Sequence, residues 1–268
     1  MTRGSDPFRH PHPDPVSDVR TLWQGSSIAL PSVYKEGSQT LQAPDLKRFK
    51  DSTGNFRNCR PLKGEKMIQP SMTLRGIDIF QELLDAQAQA ALVDDLREVI
   101  RAAPFFAPVT ARGKAMSVRM TSAGRLGWVS DRGGYRYQER HPDGIAWPAI
   151  PAAVLGLWGK LVSETRGPDC CLINFYGEGA RMGLHQDRDE VDFSWPVLSL
   201  SLGDEGLFRV GGVEKGGSTS SVWLKSGDVL RMGGDARLAY HGVDRIRFGS
   251  SRLLPRGGRI NLTLRVVG

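Results

Sequence analysis

The chain has 268 residues, with 36 Lys+Arg against 29 Asp+Glu and a formal net charge of +7. Apolar residues make up 40% and charged residues 24%, an ordinary globular composition that excludes a collagen, a mucin-like stalk and a wholly disordered polymer. The length suits one large domain or two small ones, and the mild basicity favours polyanions such as nucleic acid without specifying one.

Residues 1–70 differ from the rest. They hold eleven basic and seven acidic residues, more than half of the charge excess. PFRHPHPDP, GSS, KEGSQT and KDSTGNF sustain no helical or strand period, so a disordered tail is predicted over 1–70. The alternative is that translation begins at Met67 or Met72. A single folded domain is predicted over 71–268. The three cysteines are odd in number, Cys170 and Cys171 are adjacent and Cys59 stands alone, which argues for a reducing compartment. With no run of about 18 apolar residues and no secretory leader, a cytoplasmic protein with no membrane contact is expected.

From Ile77 to Ala102 apolar residues recur at helical spacing (Phe80, Leu83, Leu84, Leu92, Val93, Leu96, Val99, Ile100), so one or two amphipathic helices are predicted there, ended by Pro104. A second helix is predicted over Pro151–Glu164, with Val154, Leu155, Trp158, Leu161 and Val162 on its buried face. From Cys170 onward, CLINFY, VLSLSLG, GLFRVGG, SSVWLKSGDVLRM, RLAYHGV and RINLTLRVV alternate with Gly, Asp and Ser clusters and read as strands. The expected fold is mainly β with flanking helices (α+β), helices lying outside an antiparallel β core.

Five histidines are present; His10 and His12 lie in the tail and His141 precedes Pro142. His185 and Asp187 are two apart, so on an extended strand they project to one side. With His241 from another strand they form a two-histidine, one-carboxylate set, which leaves positions open on an octahedral ion and suits non-haem Fe(II). Without such convergence, His185 and His241 are ordinary loop histidines. The last strand reads Arg259-Ile260-Asn261-Leu262-Thr263-Leu264-Arg265. Period two puts both arginines, Asn261 and Thr263 on one face. If that face is inward, the arginines need anions, and a dicarboxylate would satisfy both; otherwise this is a solvent-facing edge strand. Trp128 in LGWVSDRGGY, followed by Tyr135, Arg136 and Tyr137, offers loop aromatics beside cations, suited to stacking a base and holding a phosphate; otherwise these aromatics merely pack a loop.

CLINFYGEGARMGLHQDRDE (171–190), SLSLG (199–203), SGDVLRMGGDARLAYHG (226–242), RINLTLR (259–265) and, upstream, MSVRMTSAGRLGW (116–128) and GYRY (134–137) carry a resemblance. Over about residues 77–265 the chain resembles the AlkB family of Fe(II)/2-oxoglutarate-dependent dioxygenases, bacterial alkylation-repair type. The resemblance implies a double-stranded β-helix (jelly roll) with N-terminal helices and a nucleotide-recognition lid. It implies Fe(II) on His185, Asp187 and His241. It implies 2-oxoglutarate paired with Arg259 and Arg265 and lined by Asn174, Tyr176 and Asn261, and O2 as the second cosubstrate. Trp128 and His241 match the pair that sandwiches a flipped base. Tyr135 and Tyr137 match groups at the nucleotide backbone, with Arg136 between them. Asp189 matches an acid at the base's exocyclic amine and would also favour cationic lesions. Lys215 stands where bacterial AlkB has an arginine near the substrate, keeping the charge without the planar fork. The implied activity is oxidative demethylation of bases such as 1-methyladenine and 3-methylcytosine in DNA or RNA, single-stranded or flipped, by a monomer, releasing formaldehyde, succinate and CO2. The alternatives are a hydroxylase of the same chemistry acting on a protein or small molecule, and a non-catalytic nucleic-acid-binding β-sandwich.

Overall fold

Residues 68–268 are described by the computed structural model. Of the expected tail, residues 1–67, with Cys59, His10, His12 and the start at Met67, lie outside the described residues. The remaining start, Met72, opens a strand: β1 (Met72–Leu74) turns back through Arg75-Gly76 into β2 (Ile77–Phe80). The predicted helix therefore begins later than expected. Ile77 and Ile79 alternate with Asp78, and that period of two prevails because both isoleucines are fully buried in a sheet. Helix α1 (Ala86–Ala102) follows, with the Asp85 carboxylate accepting from the Ala88 N–H at 2.8 Å, a cap worth about 1 kcal/mol. It buries Leu92, Val93, Leu96, Val99 and Ile100 and stops before Pro104, whose ring disfavours helix in the residue ahead of it. Helix α2 (Ala152–Leu161) buries Val154, Trp158 and Leu161, whereas Leu155 points outward, 41% exposed, off the expected face.

The other strands are β3 (Val118–Gly124), β4 (Gly127–Asp131), β5 (Gly134–Gln138), β6 (Cys170–Tyr176), β7 (Met182–His185), β8 (Val197–Gly203), β9 (Glu205–Val210), β10 (Ser220–Leu224), β11 (Val229–Met232), β12 (His241–Arg247) and β13 (Arg259–Arg265). SSVWLKSGDVLRM is two strands, split where Asp228 accepts from the Lys225 N–H at 2.7 Å. In RLAYHGV only the last three residues are strand, because a 3-10 turn (Gly234–Ala236) precedes them. The aromatic segment around Trp128, expected as loop, is the β4–β5 hairpin.

A seven-stranded sheet runs β1-β2-β11-β8-β13-β6-β3 and a four-stranded sheet runs β10-β9-β12-β7, every pairing antiparallel. The alternation of side chains divides the large sheet into two chemistries. Leu198, Leu200, Leu202, Ile260, Leu262, Leu264, Cys171, Ile173 and Phe175 face α1 and α2 and form the main core. Asn174, Tyr176, Ser199, Arg259, Asn261, Thr263 and Arg265 point the other way, toward the small sheet, and line a cavity. Strand β13 is central, between β8 and β6, so the edge-strand alternative fails. Burying its apolar row is worth about 2 kcal/mol per side chain, and that holds the polar row inward.

Candidate active site

Strands β7 and β12 pair with His185 directly opposite His241. The two rings sit 4.6 Å apart, centroid to centroid. Asp187, two residues beyond the end of β7, reaches back so that Oδ1 is 3.7 Å from His185 Nε2 and Oδ2 is 3.7 Å from His241 Nε2. One ligand atom from each residue lies within 4.8 Å of the others. Each Nδ1 sits 2.9 Å from a backbone carbonyl two residues back, Gly183 for His185 and Ala239 for His241. A carbonyl only accepts, so Nδ1 of each ring carries a hydrogen, and Nε2, on the side of Asp187, is the nitrogen available to a metal. Burial lowers the His241 pKa to about 4, despite Asp187, so this ring is neutral at physiological pH. Burial works against an Asp187 carboxylate, but Arg265 and then the imidazoles outweigh it and hold the group well below the usual range. Buried Oδ2 of Asp187 has no hydrogen-bond partner. Two imidazole lone pairs and an orphaned carboxylate oxygen, turned to one point, fit a divalent cation with open positions.

The cavity beyond this set has a volume of about 600 Å³. Arg259 lines it at 1% exposure. Its partners are neutral: Nη2 donates to Ser201 Oγ at 2.6 Å, and Nη1 to the carbonyls of Asp204 at 3.2 Å and Leu224 at 3.4 Å. Among the described residues no carboxylate lies within ion-pair distance of it, and its Nε has no partner. Burial lowers its pKa to about 10, which still leaves it cationic. Gly206 makes the room, since a Cβ there would lie 2.9 Å from Nε. A buried cation held by neutral groups beside a polar cavity fits an anionic ligand. Arg265 differs: its Nη2 is 2.8 Å from Asp187 Oδ1 and its Nε 3.3 Å from Glu190 Oε1, so it already has carboxylate partners. Both arginines line the cavity, but only the charge of Arg259 is without a carboxylate partner among the described residues. Between them, Asn174 turns an unpartnered Oδ1 into the cavity. Asn261 is fixed by donating to Ser199 Oγ at 2.8 Å and the Leu200 carbonyl at 3.1 Å. Burial pushes Tyr176 up to about 12, so its hydroxyl keeps its proton.

At the mouth, Trp128 and Tyr135 from the hairpin stack 5.5 Å apart at 12°. Trp128 Nε1 donates to Asp189 Oδ2 at 2.8 Å. All three line the cavity. The other expected substrate contacts do not. Arg136 forks onto Asp131 at 2.9 and 2.7 Å on the outer side of the hairpin. Tyr137 is turned inward, its hydroxyl donating to Glu190 and accepting from Arg265 Nη1 at 3.3 Å. Lys215 lies on the exposed turn between β9 and β10. Two buried residues escaped the sequence reading. Glu190 ends HQDRDE, and Arg237 lies in GGDARLAYHG, bonding Glu190 Oε2 at 3.0 Å and the Asp187 carbonyl at 2.7 Å. The available signal was a second carboxylate three residues after Asp187, which once buried requires a cation.

A family model described as the 2OG-Fe(II) oxygenase superfamily matches residues 76–265. An α-ketoglutarate-dependent dioxygenase AlkB homologue of Caulobacter vibrioides is 55% identical over 211 residues, covering 78% of this chain and 96% of that protein. This chain belongs to the AlkB family. A DNA N(6)-methyladenine demethylase of Arabidopsis thaliana, ALKBH1D, is a more distant AlkB relative, 31% identical over 232 residues, 75% of this chain and 50% of that protein. The solved structure of OsALKBH1 superposes with a TM-score of 0.65 at 30% identity, covering 73% of this chain and 99% of that one. The two facing antiparallel sheets are thus the AlkB jelly roll. The protein is an AlkB-type 2-oxoglutarate-dependent dioxygenase, an oxidoreductase whose chemistry requires Fe(II), 2-oxoglutarate and O2.

Proposed function

We propose that this enzyme reverses N-alkylation of nucleic-acid bases, 1-methyladenine and 3-methylcytosine among them, in single-stranded DNA or RNA or on a base flipped from a duplex. One observation carries the reading: a cavity with the His185–Asp187–His241 set inside it and a stacked Trp128–Tyr135 pair with Asp189 at its mouth. An aromatic face beside a carboxylate suits a flat, cationic alkylated base better than an aliphatic side chain, and alkylation also lowers the cost of extrusion by weakening pairing.

Bound through the Nε2 atoms of His185 and His241 and the Asp187 carboxylate, Fe(II) would supply, with 2-oxoglutarate and O2, the oxidation that hydroxylates the N-alkyl carbon. The hemiaminal so formed loses formaldehyde, while the cosubstrate leaves as succinate and CO2. The carbonyls of Gly183 and Ala239 hold the imidazoles in the ligating tautomer. Arg259 anchors a cosubstrate carboxylate, with Asn174, Tyr176 and Asn261 along its length. Arg265 orients Asp187. Trp128 stacks the base against His241, and Asp189 exchanges its bond to the indole for one to the base's exocyclic amine. The catalytic domain is assigned to residues 71–268, acting as a monomer. Cys170 and Cys171 are buried free thiols, burial raising Cys170 to about 11, and that supports a cytoplasmic setting. No described helix is long and apolar enough to cross a membrane.

The test is incubation of the protein with 1-methyladenine in single-stranded DNA plus iron, ascorbate and 2-oxoglutarate. Repaired adenine and formaldehyde are expected in equal amounts. Trp128→Ala should abolish repair yet leave uncoupled succinate formation. Turnover of 2-oxoglutarate with no repaired base on DNA or RNA would reject the reading in favour of a protein or small-molecule substrate.

A further inference from the structure

Glu190 is 6% exposed, three residues past Asp187, and has partners from three separate elements. From β13, Arg265 places Nε 3.3 Å from Oε1. From the β4–β5 hairpin, the Tyr137 hydroxyl donates to the same oxygen. From the turn before β12, Arg237 places Nη2 3.0 Å from Oε2. Arg237 is itself fixed, since it also donates to the carbonyls of Asp187 at 2.7 Å and Trp195 at 2.8 Å. Glu190 therefore joins the hairpin that carries Trp128 and Tyr135 to the guanidinium that holds Asp187.

Arg265 is shared between two carboxylates, Asp187 Oδ1 at 2.8 Å and Glu190 Oε1 at 3.3 Å. A dication ligated by Asp187 draws charge from that carboxylate and weakens its claim on Arg265. The guanidinium then needs another anion, because an unpaired buried charge is costly, and Glu190 is already in reach. As Arg265 settles on Glu190, the Tyr137 hydroxyl, which donates to one and accepts from the other, is gripped more firmly, and the hairpin with it.

We propose that Glu190 is a positioning residue whose ion pair with Arg265 and hydrogen bond from Tyr137 couple metal ligation at Asp187 to the seating of the β4–β5 hairpin over the cavity. The inference rests on the assignment of His185, Asp187 and His241 as metal ligands. In this arrangement Glu190 does two jobs. It accepts Arg265 when the metal takes Asp187, which favours metal binding, and it passes the occupied state to the hairpin through a single hydroxyl. Tyr137 does only the second.

That division gives the test, made on the full chain without turnover. Mn(II) alone is the probe, its affinity read from the EPR signal of the free aquo ion and the hairpin read from the rate of trypsin cleavage after exposed Arg132. In the unaltered protein, saturating Mn(II) should slow that cleavage about fivefold. Tyr137→Phe should lose the protection while its Mn(II) affinity stays within about threefold. Glu190→Gln should lose the protection and bind Mn(II) about tenfold more weakly, the scale of a lost partner to a ligand. Glu190→Asp should recover part of both. A purely structural role for Glu190 would lower the melting temperature without separating these readouts. Mn(II) protection equal to wild type in Tyr137→Phe, or none in the unaltered protein, overturns the proposal, and because Tyr137→Phe removes one hydroxyl it decides the matter even if Glu190→Gln does not fold. Wild-type Mn(II) affinity in His185→Ala would instead overturn the metal-site assignment beneath it.

Discussion

Arg259 and Arg265 leave the same face of β13, yet replacing each with methionine should have very unequal effects on the metal-free protein. Burial pulls Arg259 down to about 10, which puts the cost of keeping it charged at about 3 kcal/mol. Methionine removes that cost and forfeits hydrogen bonds to Ser201 Oγ and the carbonyls of Asp204 and Leu224, at about 1 kcal/mol each. Water in the adjoining cavity can replace some of those donors, so the net change in stability should be close to zero. Arg265→Met instead strands the buried carboxylate of Asp187 and leaves Glu190 with only Arg237 and the Tyr137 hydroxyl, a loss of about 3–5 kcal/mol. The melting temperature should fall by roughly 10 °C in a domain of this size. Binding of 2-oxoglutarate separates them further. Two charge-assisted hydrogen bonds from Arg259 to a carboxylate amount to about 3–4 kcal/mol, so Arg259→Met should bind 2-oxoglutarate about 10²–10³-fold more weakly. Thermal melts of the metal-free proteins measure the first effect. Calorimetric titration of 2-oxoglutarate into Mn(II)-loaded protein under argon measures the second. If Arg259→Met melts as low as Arg265→Met, or binds 2-oxoglutarate within tenfold of wild type, the division of labour between the two arginines is wrong.

Mn(II) at a hundred times its dissociation constant should stabilise the fold by about 2.7 kcal/mol, a shift of a few degrees that a chelator reverses and His241→Ala abolishes; a shift surviving in His241→Ala would place the metal elsewhere. Gly127→Ala should lower the melting temperature and repair activity but spare Mn(II) binding, because its Cβ would lie 2.2 Å from the Trp147 ring, which is itself pinned by Nε1 donating to the Gln138 carbonyl at 2.9 Å; overpacking of this kind costs about 1–3 kcal/mol, and an unchanged melt would contradict it. Asp169 accepts from the Val267 N–H at 2.8 Å, Arg166 at 2.8 Å and Arg125 at 3.1 Å. Burial raises its pKa, but these bonds outweigh that and leave the carboxyl below its ordinary value. A depressed carboxylate stabilises above its unfolded pKa of about 4 and loses that contribution as pH falls through the folded value. Asp169→Asn should therefore melt well below wild type at pH 7, with the gap closing toward pH 3; a gap independent of pH would refute the charge argument.

Strand β13 was readable because one period of two sorted its residues into an apolar row and a charged row, and only a central strand with both faces covered satisfies both rows. The metal set was readable because His185 and Asp187 are close in sequence and the third ligand had few candidates among five histidines. Short segments were harder. Ile77–Phe80 fits a helical spacing and a strand alternation equally well over four residues, and only pairing with β1 and β11 selects the strand. The hairpin carrying Trp128 was hidden because its glycines mimic loop and one of its faces is wet. Tyr135 and Tyr137 share a parity on β5, so sequence gives them one role. They diverge because Tyr135 meets the Trp128 ring while Tyr137 meets Glu190.

The unequal fates of the two arginines follow from where β13 ends relative to its neighbours. They lie six positions apart on β13, about 20 Å of extended chain. Arg259 lies opposite Gly203 on one side and Tyr176 on the other, and Gly206 also leaves space beside it. None of these supplies a carboxylate, so its charge stays open to a ligand. Arg265, opposite Cys170, reaches under the loop that leaves β7, where HQDRDE brings Asp187 and Glu190 within 3.3 Å. All three of its nitrogens face protein groups: Asp187, Glu190 and the Tyr137 hydroxyl. A single RxNxTxR strand thus gives the cosubstrate an anchor at one end and, at the other, the metal's carboxylate a fixed partner, so that anion binding and cation binding are built on one rigid element whose apolar row cannot shift without opening the core.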